Sequence, residues 1–210
     1  MITLYTWGTP NGRKVSIALE EMGLDYECVG IDITKDDQFG ADFLKIAPNN
    51  KIPALTDTDG DVALFESGAI LMYLAEKTGK FMPAYGTSQY WQMMQWLMWQ
   101  MGGFGPMLGQ THHFVRFNPD VSEYAANRFQ NEGKRLYGVL DKHLATSKYL
   151  IDEISIADFA IWPWASRFEW QEIDLNEYPN VLRWYNELAA RPGFIEGYKK
   201  PTDTGPIPVA

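Results

Sequence analysis

The sequence contains a single cysteine, Cys28, in 210 residues. One thiol excludes an internal disulfide, a CxxC redox pair and a cysteine-rich metal site. Histidine is scarce as well, at three residues, and the adjacent His112 and His113 have no carboxylate three or four positions on to complete a ligand set. They read as structural or pocket-lining side chains, with no metal site expected. No apolar stretch approaches the roughly 20 residues that span a bilayer. Met1-Ile2-Thr3-Leu4-Tyr5 offers no basic segment leading to a small-residue cleavage site, so no secretory leader is expected. Basic runs are missing too. The net charge is −9, from 18 basic and 27 acidic side chains, and neither residues 1–80 nor the remainder is basic. Nucleic acid and an anionic membrane surface are therefore not expected partners. A small anion held by a few cations and by helix N-termini stays open. The expectation is a soluble cytoplasmic protein.

What is present is a globular composition, 46% hydrophobic and 21% charged, with eleven Phe, eleven Tyr and eight Trp to bury. The length allows one large domain or two small ones. Ile2 to Thr6 reads as a strand, followed by the turn Trp7-Gly8-Thr9-Pro10-Asn11-Gly12. A helix then places Val15, Ala18, Leu19 and Met22 on one face and stops at Gly23. Glu27 to Ile33 reads as a second strand and residues 39–46 as a short helix. Ile52 to Thr56 and Val62 to Phe65 read as a hairpin around Thr58-Asp59-Gly60-Asp61, and Glu66-Ser67-Gly68 opens a helix to about Lys77. The order β-α-β-α-β-β-α over residues 1–80 is mixed α/β. A linker is expected at 81–88, an all-helical domain at 89–200 and an extended tail at 201–210. In the helical part, 88–101 has apolar residues on almost every side, as in a buried helix. Phe129, Leu136, Leu140 and Leu144 form one stripe, Ser155 and Asp158 read as a capping pair, and a further helix covers about 178–190.

Several local motifs are joined in that order. They are Thr9-Pro10-Asn11-Gly12, Pro48-Asn49-Asn50-Lys51-Ile52-Pro53, Leu64-Phe65-Glu66-Ser67-Gly68-Ala69-Ile70, Gly105-Pro106-Met107-Leu108-Gly109-Gln110 with His112-His113, and Ser155-Ile156-Ala157-Asp158. Over roughly residues 1–200 the chain resembles a glutathione transferase. It is most similar to the bacterial nu class, whose members are glutathione-dependent disulfide-bond reductases related to the yeast nitrogen-regulator prion protein. The resemblance implies a thioredoxin-like glutathione-binding domain over residues 1–80, an all-helical C-terminal domain, and a homodimer. Glutathione would be a co-substrate and no cofactor is implied.

The turn at Thr9 can be read as plain helix capping or as an anion cradle, because both use the same geometry. A helix N-terminus contributes roughly 0.3–2 kcal/mol to a nearby anion. A donated hydroxyl or amide adds about 1.5–3 kcal/mol. One pKa unit is about 1.4 kcal/mol, so together they could lower a thiol by about one or two units. This chain has no cysteine at that turn, so the sulfur must come from the ligand. The resemblance implies that Thr9 and Asn11 hold the glutathione thiolate. It further implies that Ser67 and the N–H groups after it take the γ-glutamyl carboxylate, with Glu66 on the α-ammonium. It also implies a cis Ile52–Pro53 bond that turns Ile52 toward the cysteinyl backbone, whereas X-Pro bonds are cis only about 5–6% of the time. Lys51 and Gln38 would lie at the glycyl end. Arg128 would contact a second glutathione or the other half of glutathione disulfide.

Cys28 alternates within a strand and reads as a buried thiol rather than a nucleophile. Tyr5 reads as packing, and Trp162, Trp164 and Trp170 either shape an apolar pocket or belong to the core. The Trp/Met-rich 90–101 segment reads most simply as core, with a subunit interface as the alternative for part of it. The leading expectation is disulfide reduction by glutathione. Conjugation to an electrophile and hydroperoxide reduction use the same thiolate, while a non-catalytic interaction protein would at most bind glutathione, with no turnover. The absence of Tyr and Ser from the Trp7–Gly12 turn favours the nu type.

Overall fold

The computed structural model describes residues 1–210, which divide into two compact units. One comprises Met1–Met82 with Ala189–Ile207, the other Pro83–Leu188 with Pro208–Ala210. Residues 189–200, read from sequence with the helical part, thus belong to the first unit.

In the first unit, β1 (Ile2–Thr6) buries alternate residues. α1 (Pro10–Met22) begins with proline at its first position and ends at Gly23, whose φ of 69° lets its N–H reach the Glu20 and Leu19 carbonyls. β2 (Tyr26–Gly30) pairs parallel to β1. It stops three residues earlier than expected because β1 itself ends at Thr6, whose carbonyl accepts from Ile31 N–H at 2.8 Å. Asp32 then turns the chain by accepting from Thr34 N–H at 3.0 Å. The helix expected at 39–46 is divided by Gly40 into a 3-10 turn, Asp37–Phe39, and α2 (Ala41–Ile46). β3 (Ala54–Asp57) and β4 (Val62–Phe65) form the hairpin, and α3 (Ser67–Thr78) follows. β3 starts after Pro53, which has no N–H for the ladder. The Ile52–Pro53 bond is cis. The sheet order is β2-β1-β3-β4, with β3 antiparallel to both neighbours.

The terminal helix, Pro192–Tyr198, packs on α1. At their crossing a Cβ on Gly197 would lie 2.6 Å from Ile17 Cα, so only glycine permits the approach. Ser16 Oγ donates to the Gly197 carbonyl at 2.7 Å, and Arg13 lies 3.4 Å over the Tyr198 ring. Arg191 closes the contact on Glu21 at 3.1 Å. These bonds tie residues 189–207 to the first unit.

In the second unit, α4 (Ser88–Trp99) runs through a π-helical turn, Gln100–Phe104, into α5 (Gly105–Thr111). A second π turn, His112–Phe117, follows. Pro106 has no N–H to give back to the preceding turn, which accounts for the first widening. The expectation of an all-round buried α4 is corrected. Tyr90, Met93 and Leu97 are buried, while Trp91 and Met98 are about half exposed, because α4 packs through a single face. α6 (Glu123–Leu144) buries Leu136, Tyr137, Leu140 and Leu144. Phe129 on the same stripe is half-buried and stacks on Phe114, with centroids 5.6 Å apart. α7 (Ile156–Ala165) is buried throughout, and α8 (Pro179–Ala189) completes the unit as far as Leu188.

The start of α7 carries the expected reciprocal cap. The buried Asp158 carboxylate accepts from Ser155 N–H at 2.9 Å, Ser155 Oγ at 3.1 Å, Leu150 N–H at 3.2 Å and Trp184 Nε1 at 2.9 Å. Replacing it by alanine strands each of those donors. Asp158→Ala is expected to lose about 3 kcal/mol or more in urea unfolding, and Asp158→Asn, which keeps one acceptor, clearly less.

Candidate functional site

Thr9 caps α1 with extended backbone angles, and its Oγ1 accepts from Gly12 N–H at 3.3 Å. The turn closes so tightly that a Cβ on Gly12 would collide with the Trp7 carbonyl oxygen and Thr6 Oγ1. Glycine at 12 is therefore what brings the first turn of α1 against the end of β1 and fixes Thr9 and Asn11 in place. Thr9 Oγ1 accepts that bond and keeps its own hydrogen to donate.

α3 begins beside α1. Glu66 precedes it at φ 73°, in the left-handed region that non-glycine residues rarely adopt. Ser67, its first residue, is buried, and Lys14 Nζ donates to Ser67 Oγ at 3.3 Å. Between these elements lies a cleft of about 170 Å³ that brings together the expected residues Asn11, Lys51, Ile52, Pro53, Glu66 and Ser67. Asn49 and Phe65 line it as well. Thr9 stands two residues before Asn11 at the cap. Gln38 lies outside this lining, on the Asp37–Phe39 turn, where its amide donates to Asp36 at 3.4 Å. Arg128 is exposed on α6 in the second unit, at a cleft of about 670 Å³ shared with Tyr124, Asn127, Glu132 and Arg135. There Arg135 holds Glu132 in two bonds of 2.7 Å, which lowers the glutamate's pKa.

Lys14 was not among the expected site residues. It is wholly buried, and burial pulls its ammonium down to about 7 while the Glu66 carboxylate pulls the other way. The signal was available, since position 14 lies four before Ala18 and shares the buried stripe of α1. A lysine on a core-facing stripe needs a polar partner.

Cys28 is half-buried on β2 rather than enclosed, and burial raises its thiol pKa. Tyr5 packs on Phe43, with centroids 6.4 Å apart. Trp162 is core, donating to the Tyr185 carbonyl at 3.1 Å. Trp164 and Trp170 bracket His112 at 5.5 and 5.6 Å between ring centroids. Arg116 and Arg167 lie 4.3 and 4.4 Å from the Trp170 ring. Gln171 Nε2, which donates to the Trp164 carbonyl at 2.9 Å, stands 3.2 Å from His112 Nε2. An amide N–H facing that nitrogen requires it to be an acceptor. Burial, then Arg167 and Arg116, lower the imidazole to about 4.

Comparison with known proteins agrees along most of the chain. Residues 1–76 match the glutathione S-transferase N-terminal domain and residues 104–192 the glutathione S-transferase C-terminal domain. Disulfide-bond oxidoreductase YfcG of Escherichia coli is 50% identical over 198 residues, spanning 91% of this chain and 92% of the relative. A crystal structure of a glutathione transferase from Pseudomonas putida, with one glutathione disulfide bound per subunit, superposes with a TM-score of 0.90. It is 43% identical and covers 95% of this chain and 91% of its own. Another, from Pseudomonas fluorescens with two glutathione bound, gives 0.89 at 44% identity, covering 94% and 92%.

Because an unfolded imidazole titrates near 6.5, a neutral His112 favours the folded state above that pH. The advantage, at most about 3 kcal/mol, is lost as pH falls from about 6.5 toward 4. Asp158, which burial raises to about 6, drifts the opposite way in the same window, so total stability is a poor readout. The difference between the unsubstituted protein and His112→Gln isolates the histidine. In parallel urea unfolding at pH 7 and 4.5 that difference is expected to shift against the unsubstituted protein. A constant difference would contradict the assignment.

Proposed function

The chain belongs to the glutathione S-transferase family, and from that premise we propose that it reduces disulfide bonds with glutathione thiolate, using no cysteine of its own. The observation that carries this reading is the start of α1. Thr9 and Asn11 stand at a helix N-terminus beside a cleft holding Ser67, Glu66 and Lys51, while the chain's one thiol sits apart on β2. That arrangement suits an anionic sulfur brought in by a zwitterionic peptide. The name of the Escherichia coli relative and the glutathione and glutathione disulfide held by the Pseudomonas proteins support it.

In the proposed reaction the thiolate of a first glutathione attacks one sulfur of the substrate disulfide, forming a mixed disulfide and releasing a thiolate that takes a proton. A second glutathione thiolate attacks the glutathione sulfur of that mixed disulfide, expelling the other substrate sulfur as a thiolate that takes a proton and leaving glutathione disulfide. Two electrons pass from two glutathione molecules to one disulfide, and the protein's redox state is unchanged. Its contribution is to orient the sulfur and stabilise its charge. Ser67 and the α3 N–H groups take the γ-glutamyl carboxylate, Glu66 the ammonium, and Ile52 pairs with the cysteinyl backbone. Lys51 and Gln38 serve the glycyl end, and Arg128 contacts a carboxylate of the second glutathione. The working form is a cytoplasmic homodimer, with the half-exposed Trp91 and Met98 among the apolar surface it covers.

With 2-hydroxyethyl disulfide as substrate, Thr9→Ala is expected to lower turnover about 10- to 100-fold, with a much smaller change in glutathione affinity. Thr9→Ser restores turnover because it returns the hydroxyl, and Cys28→Ser leaves it near the starting value. Loss of turnover in Cys28→Ser would overturn the mechanism. Chlorodinitrobenzene and an organic hydroperoxide, run in the same series, measure conjugation and peroxide reduction against it. Sedimentation at twice the chain mass of 24.0 kDa is the expected result for the dimer, and a single-chain mass refutes it.

A further inference from the structure

Lys14 is the cation least explained by the reading above. It comes from α1, lies wholly inside the first unit, and ends 3.3 Å from the hydroxyl of Ser67 at the start of α3. An ammonium has three donors and no acceptor. While Lys14 is protonated, Ser67 Oγ is the acceptor in that contact, and its single hydrogen is directed elsewhere. The N–H groups of the first turn of α3 also look out from that end of the helix. Glu66, one residue before, brings the opposite charge to the same place. A buried cation behind the hydroxyl and a carboxylate beside it form a fixed pair of opposite charges, the complement of a carbon bearing both a carboxylate and an ammonium.

We propose that Lys14 is the positioning residue for the α-carboxylate of the γ-glutamyl group: it holds Ser67 as a donor toward that carboxylate and supplies buried positive charge behind it, without touching the substrate. This rests on the glutathione reading above and deepens it. Lys14 makes the cleft selective for a ligand end that carries a carboxylate, while Glu66 answers for the amine. Removing the lysine charge leaves Ser67 free to turn its hydrogen inward, and the carboxylate then loses both its oriented donor and its counter-charge.

The test is a set of calorimetric titrations on the folded full-length protein and on Lys14→Met, with circular dichroism to confirm the fold. Three ligands are compared. They are glutathione, γ-aminobutyryl-cysteinyl-glycine, which lacks the α-carboxylate, and glutaryl-cysteinyl-glycine, which lacks the α-amine. The unsubstituted protein is expected to prefer glutathione to the decarboxylated peptide about 10- to 100-fold. In Lys14→Met that preference falls to within about threefold, whereas the preference over the deaminated peptide persists. A merely structural lysine would weaken all three ligands alike, and that result overturns the proposal. So does full retention of the carboxylate preference in Lys14→Met, or its absence from the unsubstituted protein. If Lys14→Met does not fold, Lys14→Gln carries the same comparison. In the unsubstituted protein labelled at lysine Nζ, glutathione should also shift the buried ammonium resonance and the decarboxylated peptide should not. Equal shifts, or none, overturn the proposal. Failure of the unsubstituted protein to bind glutathione at all would instead overturn the functional reading on which the proposal stands.

Discussion

Two helices of the first unit begin side by side, and each opens on a hydroxyl that already accepts a hydrogen bond from behind. Thr9 Oγ1 takes the Gly12 N–H and Ser67 Oγ takes the Lys14 ammonium. A hydroxyl that accepts one bond still has its single hydrogen to give. A helix N-terminus carries partial positive charge, so even in a chain of net charge −9 the starts of α1 and α3 are places where an anion is favoured. Overall charge matters less here than the direction of a few donors at short range.

That arrangement depends on close packing at points that tolerate no extra atoms. Gly12 lets α1 start directly against β1, and Gly197 lets the terminal helix lie directly on Ile17 of α1. α1 is thereby held closely at its start and at mid-length, and its basic pair is enclosed. Arg13 is used on the terminal-helix side, over the Tyr198 ring. Lys14 is used on the α3 side, against Ser67. Consecutive residues point to different faces of a helix, so one Arg-Lys pair serves a structural contact and the cleft at once. Enclosing a lysine is costly unless it is partnered, which is why residues whose sequence neighbours are core can still belong to a site.

The sequence was most legible where local chemistry decides the structure. β1, the Thr9 cap, the Gly23 stop, the hairpin and the Ser155–Asp158 cap each follow from a few adjacent residues, and the structure contains them. It was least legible where a partner distant in sequence decides. β2 ends with β1 and not with its own apolar run, and α4 exposes Trp91 and Met98 although its composition reads as core. The π turn before α5 follows from the N–H that Pro106 lacks, a backbone effect that a hydrophobic pattern does not record. The association of residues 189–207 with the first unit rests on the Gly197 approach, the Ser16 bond and the Arg191–Glu21 pair, all more than 150 positions apart in the chain. Asn11, Lys51, Ile52, Pro53, Glu66 and Ser67 were drawn to one cleft by motif, whereas Lys14, the residue behind them, carried only a helical spacing.

The position of Cys28 shows why a borrowed sulfur suits this chain. A thiol that acts as a nucleophile must ionise, which calls for nearby positive charge or a helix N-terminus. Cys28 has neither advantage in sufficient measure: it sits mid-strand on β2, and burial raises its pKa despite the opposing influence of Lys200. The N-termini of α1 and α3, where an anion is favoured, are lined by hydroxyl, amide and carboxylate groups and contain no sulfur. Electrostatic preparation and the protein's own thiol are thus separated in the fold. A thiol delivered by a ligand would enter the prepared place and leave oxidised, so no step would store oxidising equivalents in the polypeptide. Recovery of the protein after each cycle would then depend on exchange of the ligand and not on a separate reductase acting on the chain.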